Sequence, residues 1–458
     1  MSFRTALTGL NAASADLGVI SNNIANNNTT AFKQSRAEFG DIYSLSDLGT
    51  STRRSIGTGV KLNSVTQIFK QGNLETTSNP LDLAIDGEGF FVLQDTDGSN
   101  LYTRAGAFGV DKDGYIVNTR SQTLQGYLTN PTTGEIDTGN EGPLRTQTAN
   151  IDPKQTTTGE FGINLNAGSV APPATQPFDF KDSRTYNFSS ALTIFDSLGN
   201  SHSLNSYFVK RATVLAGAPV GTTSAWDVYF SMDGLQLNGN ALPAAGAATR
   251  SGVLGFDAFG AATGTYDDTT AAWSAINISL NLTIVPTNGP DPITGNGTPN
   301  GAQNPINSSG TPPRVTIKLD TTTQYGSPSS TNAATQDGFA TGRIVGVDVG
   351  EDGTMNGRYS NGQAKVLGQV ILANFRSTAG LSPIGDTSWV ETSASGQPVK
   401  GPPGTASLGL VRAGALELSN VELSEQLVKM ISAQRNFQAN AQVISTADQM
   451  TQTLLNIR

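Results

Sequence analysis

The feature that most constrains this chain is a pair of matched seven-residue repeats, one at each end. Near the start, Phe3, Leu7, Leu10, Ser14, Leu17, Ser21 and Ile24 fall at alternating steps of four and three. That spacing draws one narrow stripe along a helix, apolar except for two serines. A helix of about 25 residues is ~37 Å long, and such a stripe cannot be buried against itself. It needs a partner. Near the end, Leu423, Leu427, Met430, Gln434, Phe437, Ala441 and Ile444 repeat the pattern. Ser419 and Glu422 stand ahead of them at capping-box spacing, and residues 415–458 contain no Pro or Gly. This stretch predicts a helix of roughly forty residues, about 55–60 Å long.

Two architectures satisfy such repeats. The helices close the chain as a two-helix coil, parallel or antiparallel, or they form a coiled-coil stalk between copies of an ordinary globular protein. Seams this short are marginal in isolation, so the ends are expected to order on assembly.

Composition removes several function classes. The net charge of −9 repels phosphate, which argues against a nucleic-acid surface. There is no basic stripe for a membrane surface and no run of about 18 apolar residues, so no membrane insertion is expected. The chain has no cysteine, which excludes disulfides, thiolate metal sites and a cysteine nucleophile. Its one histidine, His202, reads as a half-exposed strand residue beside the turn Asp196–Asn200. Arg4 followed by Ala13-Ser14-Ala15 loosely imitates a secretory signal. Thr8, Gly9 and Asn11 make the intervening segment too polar and short for one, so no cleaved signal is expected.

The body reads as strands joined by turns. Leu81, Leu83 and Ile85 alternate with polar residues, and Gly87 and Gly89 permit a sharp turn into Phe90-Phe91-Val92-Leu93. Asp111, Asp113 and Gly114 resemble a calcium-loop fragment, but the spaced Gly and Glu of such a loop are missing. Turn chemistry is the better reading, there and at Glu351-Asp352-Gly353, and no metal or other cofactor is expected. Residues 146–336 form a Thr-, Ala-, Asn- and Gly-rich insert. Within it Ile276, Ile278, Leu280, Leu282 and Ile284 alternate as in a half-buried antiparallel sheet, and Leu192–Phe195 and Tyr207–Val209 flank a hairpin turn. Residues 289–313 are almost pure turn chemistry and predict an exposed loop. Short strands return after Gln336, including Val366–Phe375. Residues 29–70, with Phe32, Phe39, Tyr43 and the basic run Ser51-Thr52-Arg53-Arg54, give neither helix nor strand. The expected fold class is α+β and multidomain, with terminal helices paired as a coiled-coil-like domain and mainly antiparallel β outer domains. The carboxylates sit almost entirely in turns, with no catalytic signature around them, so neither a glycosidase nor another enzyme is expected. An adhesin or surface-binding module, with the insert as its binding part, is disfavoured because no secretion signal precedes it.

Several motifs resemble a known family. Ser21-Asn22-Asn23-Ile24-Ala25-Asn26 with Thr29-Thr30-Ala31-Phe32-Lys33 resembles the amino-terminal motif of the flagellar rod and hook axial family. Gly414-Ala415-Leu416-Glu417-Leu418-Ser419-Asn420-Val421 and Ala433-Gln434-Arg435-Asn436-Phe437-Gln438 resemble its carboxy-terminal motif, and LDLAIDGEGFF with LYTRAGAFGVDKDGYIV a central one. TIFDSLGNSHSLNSYFV and YSNGQAKVLGQVILANFRSTAGL are similar to the hook branch, with a distal rod or hook–filament junction protein as the alternative.

The resemblance implies a homopolymer, a curved tube that joins rod to filament as a universal joint for motility. It implies an inner-tube domain from residues 1–28 and 416–458, and an extended connector at 29–70. A β-rich middle domain would span 71–145 and 337–415, and an outer insert 146–336. Phe3, Leu7, Leu10, Leu17 and Ile24 would make assembly contacts from the first helix, and Leu423, Leu427, Met430, Phe437 and Ile444 from the last. Asn22, Asn23, Asn26 and Phe32 carry the family motif, Ser419 and Glu422 cap the last helix, and Gln434, Gln438, Gln442 and Gln449 line an export channel. The implied partners are the distal rod protein, the hook cap protein, the hook–filament junction protein and the flagellar type III export apparatus. The implied location is extracellular, in the hook and basal body.

Overall fold

The computed structural model describes residues 2–42, 57–130, 132–146, 150–173, 175–236, 250–267, 272–274, 277–280, 287–288, 298–299 and 315–456. The expectations for Tyr43, Ser51–Arg54, Ile276, Leu282, Ile284 and most of the 289–313 loop lie outside these residues, as do the last two residues of the terminal helix. The described chain is α+β, with two long helices and mostly antiparallel sheets. It forms two compact units, one of residues 1–149, 344–359 and 363–458, the other of 150–343 and 360–362.

In the first unit, helix α1 spans Ser2–Ala25. It ends where Asn26 turns its side chain back onto the Asn22 carbonyl and Ala31 takes a left-handed φ of 57°. The segment that gave no pattern in the sequence then pairs with itself. Strand β1, Ser35–Ile42, runs antiparallel to β2, Gly59–Gln67, with a bulge between Glu38 and Phe39. Both strands are largely exposed, so neither carries the strict alternation that would reveal a strand in sequence.

The body of this unit is organised around strand Phe90–Gln94, which is buried on both faces. Alternate side chains leave a strand on opposite sides. Phe91 and Leu93 therefore join Leu83, Ile85, Met355 and Val370, while Phe90 and Val92 join Tyr102, Phe375 and Trp389. Phe90, Phe69 and Trp389 meet edge-to-face at 5.2–5.8 Å. Late segments complete early ones: Leu372–Asn374 pairs with Phe90–Gln94, Ala364–Val370 with Thr123–Thr129, and Leu410–Ala413 with Leu83–Asp86. Asp111 forms a turn in which its Oδ1 accepts from the N–H groups of Asp113 and Tyr115.

The second unit buries Phe161, Ile163, Trp226, Phe230, Phe256 and Ile317 between two sheets. Strands Phe188–Phe195 and Ser201–Lys210 form a hairpin with Leu192 opposite Leu204. The fully buried Asp196 closes its turn by accepting from Leu198 and Asn200. Strand Thr158–Asn166 is mixed, parallel to Val315–Lys318 and antiparallel to Ser330–Gln336. Asn277–Leu280 pairs antiparallel with Val315–Lys318. Thr287–Asn288 pairs with Thr298–Pro299, so the loop expected over 289–313 contains a strand pair at its described point.

His202 lies on a strand, with its side chain only 15% exposed. Its Nδ1 is 2.7 Å from Asp233 Oδ2, and its Nε2 is 3.6 Å from Asp196 Oδ2. The Asp233 hydrogen bond raises the imidazole pKa above its usual value, outweighing burial, and both carboxylates add to the effect. Burial would raise Asp233, but the bonds from His202 and the Ser203 N–H hold it below the usual carboxylate value. A raised imidazole contributes stability below about pH 6.5, and that contribution disappears as pH rises through the folded value. Urea unfolding of the second unit should therefore show stability falling as pH rises above neutrality. His202→Gln should remove this dependence and cost about 1–2 kcal/mol at pH 6.

Candidate assembly surface

The terminal helices lie against each other. Helix α2 spans Leu423–Asn456, 34 residues or about 51 Å. A Cβ placed on Gly9 would stand 2.6 Å from Asn440 Oδ1, and Asn23 Nδ2 donates to Gln426 Oε1 at 3.2 Å. Advancing along α1 therefore means retreating along α2, so the pair is antiparallel.

The seam between them is not the one drawn by the large apolar residues. On α1 the buried positions are Ala6, Ala13, Ile20 and Asn23, while Phe3 and Leu7 are 45% and 43% exposed. Leu10, Leu17 and Ile24 lie half-buried at the edge of the contact. On α2, Gln426 and Ala433 are buried, with Met430, Phe437, Asn440 and Ile444 half-buried between and beyond them. Met430, Phe437 and Ile444 thus face inward, but Leu423 and Leu427 are 44% and 45% exposed. The expected phase was wrong on α1 and half right on α2. A heptad reading weights Leu and Phe over Ala and Gly, whereas close helix approach selects the small residues. Val428 and Ile431 extend the outward apolar surface of α2. Gln434, Gln438, Gln442 and Gln449 are all exposed.

The capping-box expectation also fails. Ser419 Oγ accepts from Val421 N, and the first helical bond runs from Gln426 N to the Glu422 carbonyl, so the helix starts later. Asn420 causes the delay. Its Oδ1 accepts from Gln34 N, and its Nδ2 donates to the carbonyls of Ile68 and Lys70. Residues Ala415–Glu417 are a strand paired with Leu74–Thr76 rather than helix.

Beneath this root lies a buried charge cluster. Lys33 Nζ donates to Glu417 Oε1 at 2.5 Å and to the Lys70 carbonyl at 3.0 Å. Gly72 N–H donates to the same carboxylate, and Arg104 Nη1 reaches Glu417 Oε2 at 3.2 Å. The Lys33 and Glu417 side chains are wholly buried and that of Arg104 nearly so. Burial pushes the Lys33 amine below its usual value despite the opposing pull of Glu417. Alongside, Asn23 forms a two-way bond with the Ser35 backbone, accepting from its N–H and donating to its C=O. Asn22 and Asn26 bond to each other within the α1 terminus, and Phe32 lines a cleft with Asn26, Thr29 and Trp389. Lys33, Arg104, Glu417 and Asn420 stand inside the quoted motifs without a role given them, and Gln426 carried no signal at all. No periodicity marks a polar residue for burial.

Replacing Glu417 by Gln leaves two cations buried without a counter-charge, which should cost about 3–5 kcal/mol in urea unfolding. Lys33→Met should cost less, because Arg104 and the Gly72 N–H still satisfy the carboxylate. Asn420→Ala should cost about 2–3 kcal/mol, and Ser419→Ala no more than about 0.5 kcal/mol.

Four stretches of the chain match described protein families. Residues 3–33 match "Flagella basal body rod protein", and 84–164 match "Flagellar hook protein FlgE/F/G D1 domain". Residues 164–339 match "Flagellar basal body protein FlaE D2 domain", and 412–457 match "Flagellar basal body rod FlgEFG protein C-terminal". The chain is 37% identical to the flagellar hook protein FlgE of Salmonella typhimurium over 461 residues, covering all of both chains. It is 36% identical to that of Escherichia coli over the whole of both chains. The Borreliella burgdorferi protein is 32% identical, over all of this chain and 99% of the other.

Proposed function

The chain belongs to the flagellar hook protein family, and from that premise we propose how its surfaces build the hook. It is a structural subunit, not an enzyme, and it polymerises with its own copies in the flagellar basal body. The observation that carries the reading is the outward placement of large apolar side chains on both helices. Phe3 and Leu7 on α1, and Leu423, Leu427, Val428 and Ile431 on α2, are each about half exposed. Such a surface on a single chain calls for a partner. A contact with a neighbouring copy that does not close on itself propagates as an open helical tube.

In this reading the helix pair, Ser2–Ala25 and Leu423–Asn456 within the terminal domain 1–28 and 416–458, supercoils as a short coiled coil and forms the inner tube. Leu10, Leu17, Ile24, Met430, Phe437 and Ile444 flank or fill the pair, and the outward residues meet neighbouring copies. Gln434, Gln438, Gln442 and Gln449 present an uncharged lining to a channel, which would retard passing unfolded chains less than charges. The connector 29–70, the middle domain 71–145 with 337–415, and the insert 146–336 make up the rest of the subunit. Thr-, Ser-, Asn- and Gly-rich outer surfaces exchange weak polar contacts at little cost, as a bending joint requires. The distal rod, hook cap and hook–filament junction proteins are the proposed neighbours. Export through the type III apparatus brings the subunit outside the cell.

Leu427→Asp should leave the free subunit's stability within about 1 kcal/mol of wild type, since the side chain is exposed, yet abolish hooks in electron micrographs. Excising residues 146–336 should leave polymerisation intact and change curvature; loss of all polymer would refute that division of labour. Basal bodies from cells lacking the chain should end at a finished rod. A complete hook in those cells would overturn the assignment.

A further inference from the structure

The seam between α1 and α2 poses a question of register. Ala6, Ala13 and Ile20 repeat every seven residues, as do Ala433 and Ala447 with Asn440 between them. Most of these heptad positions carry small alanines, so apolar burial by itself selects one alignment only weakly. Two polar side chains bear on the choice, and they lie two heptads apart on both helices. Asn440, whose Nδ2 donates to the Asn436 carbonyl of its own helix, packs on Gly9, where a Cβ would stand 2.6 Å from its Oδ1. Gln426, 1% exposed, accepts from Asn23 Nδ2 and donates to Gln34 Oε1.

We propose that Gln426, bonded to Asn23, and Asn440, seated on Gly9, are the residues that specify the register of the helix pair. A one-heptad slip presents Asn440 with Ser2 or Asp16, both of which carry a Cβ where glycine is needed. The same slip moves Gln426 opposite Asp16, or opposite Thr30 beyond the end of α1, and breaks its bond to Asn23. A buried polar group left unpaired is costly, so the misaligned states are penalised even where their apolar contacts are equivalent. The proposal rests on the helix pair being the assembly element, because register sets how far the outward apolar residues of one helix stand from those of the other.

The absence of native cysteine permits a direct test on the full-length free chain. Gly9→Cys with Asn440→Cys reports the observed register. Gly9→Cys with Ala433→Cys, or with Ala447→Cys, reports a one-heptad slip in either direction. Because Gly9→Cys disables the first contact, Gln426 alone should hold the alignment. The 9–440 disulfide should then exceed either slipped disulfide by about tenfold under equilibrium thiol exchange. Gln426→Leu, which leaves both Asn23–Ser35 bonds in place, should bring the three yields to within a factor of about two. Gln426→Met serves as the second apolar variant should leucine reduce helicity by circular dichroism, and Gln426→Glu should retain the register by accepting from Asn23. An unchanged ratio in both apolar variants, or no disulfide in any pairing, overturns the proposal. Neither readout needs polymer, so a chain that crosslinks correctly yet builds no hook would count against the assembly reading alone.

Discussion

One carboxylate ties the two ends of the chain to the sheet between them. Glu417 receives the Lys33 amine from the segment after α1, the Gly72 N–H from the approach to the middle strands, and the Arg104 guanidinium from the sheet itself. Removed from water, each charge is affordable only because the others are present. The cluster therefore has an all-or-none character that a surface ion pair lacks. Both helices meet the body near this point, so the cluster anchors their roots while contacts along the helices set how they align beyond it.

That arrangement explains how a polymer subunit can keep its helices together with so modest a seam. Ala6, Gly9, Ala13 and Ala433 bury little apolar area, and isolated helices of this length are marginal in water. The root compensates: Asn23 and Asn420 hold the adjoining ends of the two helices through the backbone of residues 34–35 and 68–70, and Gln426 bonds the Gln34 side chain. The large apolar side chains are then left on the outer faces, available to neighbouring copies.

Much of the architecture was legible in the sequence. Both helices announced themselves through period, the last one also through the absence of Pro and Gly, and the hairpin around Asp196 through alternation and turn residues. Strands β1 and β2 did not, because neither has a buried face to impose alternation. The large apolar residues of both helices were legible in identity but not in direction. Leu423 and Leu427 belong to a real heptad, yet the pattern says only that they share a face, not which partner that face meets. Lys33, Glu417 and Asn420 sat inside recognisable motifs without any periodic signal of burial.

Local sequence determined what depends on neighbours along the chain: the presence of both helices, turn positions, family motifs and the exclusion of cysteine chemistry. Tertiary structure alone decided what depends on residues hundreds of positions apart. The phase of the seam follows from how closely two backbones approach, which Gly9 and Asn440 settle jointly. The start of α2 follows from Asn420 being claimed by Gln34, Ile68 and Lys70 before a helix can begin. The burial of Lys33 is tolerable only where Glu417 arrives from the far end of the chain. In each case the energy belongs to a pair, and one partner alone carries no sign of it.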